Sequence, residues 1–323
     1  MARRQRAKNS RTGCPEGTSA TGLEATQRQQ EFLSGVQQQL EKLKAAPLAA
    51  GLYIVSTPIG NLGDISIRAL FTLAAADMVV CEDTRHSRKL FSAYGIGRKL
   101  ETYHDFSGEK DRARILGALR EGKSVAVISD AGTPLIADPG FKLVRAAASE
   151  GFRVFPVPGP SALLSALVAS GLPSDQFFFV GFLPPKERAR WEALEALRAV
   201  PGTFILYETP SRIEATLSAL GVIFPDRQIT LARELTKFHE GFARGTAEML
   251  LAKVKETPPL GEIVVLIGPG QTPQAQDEDL ENALRQAMER VSLREAVDEV
   301  TKGLGAGKKK VYNLALKLKG QSL

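Results

Sequence analysis

Two adjacent carboxylates, Glu82 and Asp83, stand directly after the apolar run MVVC and are followed by Thr84 and Arg85. Neighbouring acids at one strand exit oppose each other's ionisation. One pKa rises, which leaves a base suited to a weakly acidic hydroxyl, while Arg85 holds the other carboxylate or a phosphate. His104, after the strand-like LETY, and Asp105 are further candidates, and the choice among Glu82, Asp83, His104 and Asp105 stays open. Each group also has a plainer use: Asp83 as the N-cap of a helix carrying His86 and Arg88, His104 as a satisfied loop histidine.

Four loops have the composition of ligand-holding turns: STPIGNLGD (56–64), SDAGTPLIADPG (129–140), PGPSA (158–162) and ETPSR (208–212). Ligands of open α/β sheets bind beyond the carboxyl ends of strands, where these loops fall. Gly60, Gly132 and Gly159 let a backbone approach a ligand closely, and the prolines stiffen the loops. Ser161, opening SALLSALVAS, both caps that helix and presents amide donors. One such loop is a tight turn; four in one chain indicate a shared cleft.

Several chemistries are excluded. No GxGxxG follows the first strand and no GxxxxGK[ST] occurs, so a dinucleotide fold and a phosphate-cradling NTPase loop both recede. His86, His104 and His239 are far apart, and Cys14 and Cys81 are isolated, which leaves no material for a zinc site, a disulfide framework or a Cys–His pair. The cysteine usage and the lack of any long apolar run indicate a reduced, cytoplasmic protein with no membrane partner and no metal.

The elements that must position these groups alternate. The apolar runs at 52–56, 78–81, 124–129 and 153–157 are separated by helical patterns, and a second series lies at 177–182, 203–208, 228–234 and 262–268. The reading is an α/β chain of 323 residues with two domains, 51–158 and 159–270, preceded by a basic extension 1–50 and followed by a helical segment 275–323. Within the extension, Phe32, Leu33, Val36, Leu40 and Leu43 predict an amphipathic helix over 27–44 lying on the body; the rest is a basic, partly disordered tail. Thr209 with Pro210, and the pairs Ser211/Glu214 and Ser292/Glu295, have helix-capping spacing.

Charge is placed unevenly. The net charge is +6, yet residues 1–50 carry +4 and residues 300–323 carry six lysines and no acid, so the middle is acidic. Three short helices after the linker GPGQTPQAQDED resemble a helix-turn-helix, with Lys308, Lys309, Lys310 and Lys317 placed to meet nucleic acid. The plainer reading is a packing or dimerisation appendage.

The runs YIVSTPIGNLGDISIRAL (53–70), CEDTR (81–85), SDAGTPLIADPG, PGPSALLSAL, GFLP (181–184), LYETPSR and LARELTK (231–237) occur in this order. Through them the chain resembles the tetrapyrrole-methylase superfamily, and within it the branch that modifies small-subunit ribosomal RNA. The resemblance implies a two-domain α/β fold holding S-adenosylmethionine in a cleft, within a homodimer. It further implies transfer of the methyl group to the ribose 2′-hydroxyl of a decoding-region cytidine of 16S rRNA. Members acting on tetrapyrroles keep a GxGxGD first loop, whereas Thr57, Pro58, Ile59, Gly60 and Asn61 stand here. The run DFSGEK after His104 also departs from the family's pattern. On this reading Glu82, Asp83, Arg85 and His104 carry catalysis. Pro58, Gly60, Asp130, Gly132, Thr133, Pro134, Ser161, Ala162, Tyr207 and Ala232 contact the methyl donor. The alternatives are a small-molecule methylase of the same fold and a noncatalytic RNA-binding protein.

Overall fold

The structure is a computed structural model that describes residues 20–45, 47–104, 108–270, 277–304 and 306–321. The first residues of the basic tail, Asp105 and positions 271–276 of the expected linker lie outside the described residues. The chain forms two compact units: one of residues up to Val55, Ile65–Asp130 and Gly140–Pro158, the other of Ser56–Asp64, Ala131–Pro139 and everything from Gly159.

The first unit contains α1 (Ala20–Ala45), β1 (Gly51–Val55), α2 (Ile67–Ala75), β2 (Met78–Cys81), α3 (Thr84–Ala93), β3 (Leu100–Thr102), α4 (Glu109–Arg120), β4 (Ser124–Val127), α5 (Phe141–Ser149) and β5 (Val154–Val157). Its strands form a wholly parallel sheet in the order β3-β2-β4-β1-β5. Such a sheet is covered on both faces, which is why its strands are near-continuous apolar runs. Leu52 on β1 enters a cluster with Ile115, Leu119 and Leu143, while Tyr53 and Val55 enter the opposite one with Leu73 and Phe91. The chain leaves the adjacent β1 and β4 in opposite directions, to β2 and to β5, which is the switch point where α/β sheets bind ligands.

Helix α1 is longer than the expected 27–44, and its apolar stripe is only partly covered. Val36, Leu40 and Leu43 are half-buried, whereas Phe32 and Leu33 are 67% and 56% exposed. The expectation that the whole stripe lies on the body is corrected for that first half.

The second unit contains α6 (Ala162–Ser170), β6 (Phe177–Phe182), α7 (Glu187–Ala196), β7 (Thr203–Glu208), α8 (Ile213–Ile223), β8 (Ile229–Arg233), β9 (Gly241–Gly245), α9 (Ala247–Glu256) and β10 (Ile263–Ile267). Its sheet runs β6-β7-β10-β8-β9, with only the β6–β7 pair parallel. All five β10 residues are buried, and they divide by alternation: Ile263, Val265 and Ile267 face one apolar cluster, Val264 and Leu266 the other. Strand β9, GFARG, has no apolar alternation and was not anticipated as a strand.

Two capping expectations are corrected. Helix α8 begins at Ile213 with Arg212 as its N-cap, because the Thr209 carbonyl accepts from the Arg212 and Ile213 amides (3.0 and 3.1 Å) and closes a turn before the helix. Ser161 precedes α6 with extended backbone and makes no side-chain cap bond.

Beyond Gly270 follow α10 (Asp277–Met288), α11 (Leu293–Leu304) and α12 (Lys308–Gln321). The Ser292/Glu295 capping box is present: the Ser292 amide donates to Glu295 Oε2 at 3.0 Å and the Glu295 amide to Ser292 Oγ at 3.4 Å. The helices close on Leu280, Leu284, Val297, Val311, Ala315 and Leu318, a core with no member in the sheet clusters. Leu284 is fully buried there. Leu284→Ala is expected to cost about 2–5 kcal/mol. Hydrogen exchange read by mass spectrometry checks this: protection should fall across α10–α12 and stay unchanged in both sheets.

Candidate functional site

Three strands of the parallel sheet, β3, β2 and β4, are neighbours, so the groups just past their carboxyl ends share one edge: His104, the Glu82–Asp83 pair and Asp130. Asp83 is the N-cap of α3. Its Oδ1 accepts the Arg85 amide at 2.8 Å, and its two oxygens take the Arg85 guanidinium at 3.2 and 2.9 Å. These bonds hold the Asp83 carboxyl below its ordinary pKa, which makes it a weak proton acceptor. The structure therefore bears out the capping use of Asp83, and Arg85 holds that same carboxylate. Asp130 Oδ1 accepts the Asp83 amide at 3.1 Å, which ties the exits of β2 and β4 together. Glu82 is half-buried and His104 exposed.

In the second unit three loops interlock. Thr57 and Gly132 exchange backbone hydrogen bonds of 2.8 and 3.0 Å, Ser56 Oγ and Thr133 Oγ1 are 2.9 Å apart, and Thr133 Oγ1 donates to the Pro160 carbonyl at 3.3 Å. Gly132 sits at φ +79°, a conformation that disfavours any side chain. Leu135 (φ 73°) and Ala137 (φ 62°) adopt the left-handed region without being glycine, a strain of about 1–3 kcal/mol each that collects at ligand sites.

These loops border a cavity of about 260 Å³. Of the residues read from sequence as donor contacts, Gly132, Thr133, Ser161, Ala162 and Tyr207 line it. Pro58, Gly60, Asp130, Pro134 and Ala232 do not. Ile59 lines it from the first loop, while Ala232 is fully buried in the sheet opposite Val264. Gly60 has another use, since a Cβ there would stand 2.4 Å from Cγ of Lys237.

The cavity wall has two features that sequence reasoning did not supply. Its charged groups are all carboxylates, Asp138, Glu208 and Glu262. Glu208, buried at the end of β7, accepts the Thr209 amide at 2.9 Å and the Thr216 hydroxyl at 2.6 Å, with Arg212 Nε at 3.5 Å. Glu262 pairs with Lys237 Nζ at 2.8 Å, and Lys237 also holds Glu234 at 2.9 Å. Arg212 and Lys237 are not wall residues, so the charged atoms lining the cavity are carboxylate oxygens, two of the three carboxylates being paired from outside the lining. The second feature is the state of Tyr207, a residue that the sequence did name: burial pushes its phenol up to about 12. It stays neutral at physiological pH. Phe182 meets its ring edge-on at 5.6 Å. Only side-chain alternation along β7 and the acid ending the run TFILYE hinted at either feature.

The LARELTK run does not line the cavity but holds residues that do, Gly261 and Glu262. Glu234 and Thr236 have positive φ (50° and 64°), the Glu262 amide donates to Glu234 Oε1 at 3.0 Å, and Gly261 sits at φ +81°, where a side chain is strained and would displace the Glu234 carboxylate.

Comparison with known proteins identifies the class. The chain belongs to the tetrapyrrole (corrin/porphyrin) methylase family, whose model matches residues 51–251, and a model described as the RsmI C-terminal HTH domain matches 274–319. Its fold is like that of a cobalt precorrin-4 methyltransferase of cobalamin biosynthesis, with TM-score 0.53 and 19% identity over 67% of this chain and 94% of that one. Within the class it groups with the ribosomal RNA small subunit methyltransferase I proteins. It is 46% identical to the one from Mesorhizobium japonicum, over 87% of this chain and 96% of the relative, and 48% identical to the one from Erythrobacter litoralis, over 85% and 98%. It is a methyltransferase that uses S-adenosylmethionine.

The Glu234–Lys237 pair fixes a pH window. Glu234 is held below its ordinary pKa of 4.5 by the Lys237 hydrogen bond, so its stabilisation is present above that value and is lost as pH falls through the lowered one. Lys237 is raised above 10.5 by its two carboxylates despite burial, so its share is full below that value and lost as pH rises through the raised one. Lys237→Met should return the Glu234 carboxyl toward 4.5, read by carbon-13 NMR titration.

Proposed function

We propose that this enzyme methylates the ribose 2′-hydroxyl of a decoding-region cytidine of 16S rRNA in the small ribosomal subunit. The observation that carries the reading is near-full-length identity of 46 and 48% to relatives named for small-subunit rRNA methylation. A homodimer acting in the cytoplasm belongs to the same reading. Supporting it, no helix among the described residues is long and apolar enough to cross a membrane. The division into domains at 51–158 and 159–270, with a terminal RNA-binding segment from 275, is also part of the proposal.

The cavity fits the donor. S-adenosylmethionine, when bound, supplies a methyl group already activated on a sulfonium, and a wall whose charges are carboxylates suits a cationic ligand over its uncharged thioether product. Gly132 and Thr133 offer backbone on one side. The opening of α6 at Ser161 and Ala162 offers amides, and Tyr207 with Phe182 forms an apolar face that excludes water. With an activated methyl, alignment of donor and acceptor is most of the catalytic task.

Removal of the 2′-hydroxyl proton falls to Glu82, His104 or Asp105, because Asp83 is committed to the start of α3 and to Arg85. Arg85 in turn positions Asp83. Glu82→Gln is expected to lower kcat by about 10²–10⁴-fold while the donor affinity holds. Asp83→Asn, which keeps an oxygen for the cap, is expected to leave kcat within about threefold. Gly132→Ala should weaken donor binding by about tenfold or more by calorimetry, since φ +79° disfavours a side chain.

The assay for the whole reading is transfer of labelled methyl to small subunits lacking the modification, with the product nucleoside identified by mass spectrometry. 2′-O-methylcytidine is the expected product. Donor binding without incorporation into RNA would reject the rRNA assignment.

A further inference from the structure

Helix α12 begins at Lys308, four positions after α11 ends at Leu304, and as the last helix of a segment matching a helix-turn-helix model it occupies the place of a recognition helix. It carries Lys308, Lys309, Lys310, Lys317 and Lys319 and no acid, while α10 carries Asp277, Glu278, Asp279 and Glu281 against Arg285. Charge within the bundle is therefore segregated, and α12 is the face that suits a polyanion.

The lysines are not equivalent. Lys308 pairs with Asp298 at 2.6 Å and Lys310 with Asp277 at 2.7 Å, both within the bundle. Lys309 and Lys317 make no ion pair among the described residues and border a groove with Asn313. Opposite the buried Val311, Ala315 and Leu318, the exposed stripe reads Lys309, Asn313 and Leu316, with Tyr312 one row aside. Tyr312 and Leu316 are each 46% exposed, so an aromatic ring and an aliphatic chain stand in solvent between cations.

A recognition helix normally enters a major groove. That of A-form RNA is deep and too narrow to admit one, and sequence in RNA is read mainly on unpaired bases that stack on aromatic side chains. We propose that α12 binds unpaired RNA, with a base stacked on Tyr312 and Leu316, phosphates on Lys309 and Lys317, and Asn313 at a base edge. The inference deepens the rRNA reading and rests on it: it says which form of RNA the appendage grips.

The test uses the full chain and two labelled probes, an unstructured RNA of about 12 nucleotides and a duplex of equal length, followed by anisotropy at several salt concentrations. The single strand should bind more tightly than the duplex. Tyr312→Ala should weaken single-strand binding about tenfold, Tyr312→Phe should retain it, and Lys309→Ala should flatten the salt dependence by about one counterion. Tyr312 is exposed, so thermal unfolding of both tyrosine variants should match wild type. Equal binding of the two probes overturns the proposal. So does wild-type affinity in Tyr312→Ala, failure of Tyr312→Phe to rescue, or binding of neither probe, which would point to a protein occupant. Methyl transfer to small subunits by the same wild-type preparation separates the two ideas. Transfer with single-strand binding indifferent to Tyr312 sinks this inference alone, whereas absence of transfer sinks the rRNA assignment.

Discussion

The paired backbone hydrogen bonds between Thr57 and Gly132 are the constraint on which the cavity of the second unit depends. They form only because Gly132 turns at positive φ, and they bring the first loop, the second loop and the Pro160 carbonyl into one bonded set through Ser56 and Thr133. Leu135 and Ala137 then follow in left-handed conformations that a free loop would leave. A wall held this way presents fixed dipoles and does not reorganise when charge moves in front of it.

The other side of the wall is held by ionic contacts of the same rigidity. Lys237 bridges Glu234 and Glu262, its stem lies where Gly60 lacks a side chain, and Gly261 leaves room for the Glu234 carboxylate. Two glycines far apart in sequence thus serve a single ion-pair knot. Because both cations, Arg212 and Lys237, pair from outside the lining, the charged atoms toward a ligand are carboxylate oxygens.

Much of this was legible from residue order, for reasons that can be named. Strands buried on both faces are continuous apolar runs, in the parallel β1, β2 and β4 and in the antiparallel central strand β10 alike, so these four stand out within a residue or two of their observed limits. Strand β9 was invisible because its five residues, two of them glycine, pair only along one edge of β8. Of the donor contacts read from loop chemistry, Gly132, Thr133, Ser161, Ala162 and Tyr207 do line the cavity. Ala232 does not, since the inward or outward facing of a sheet residue is set by register with β10. Asp138, Glu208 and Glu262 escaped notice as a group: they lie on a loop, a strand end and the residue before β10, and only the fold makes them neighbours on one wall. Capping was legible at Ser292/Glu295, where the helix is locally determined, and misread at Thr209, whose carbonyl closes a turn on the Arg212 and Ile213 amides so that the helix starts only at Ile213.

The closed core of α10–α12 has a consequence for inheritance. Since Leu280, Leu284, Val297 and Val311 pack only among themselves and their helical neighbours, the segment can be gained, lost or exchanged by recombination without disturbing the hydrophobic clusters of either sheet. If this segment grips RNA as proposed, its surface can vary without touching the core of either sheet.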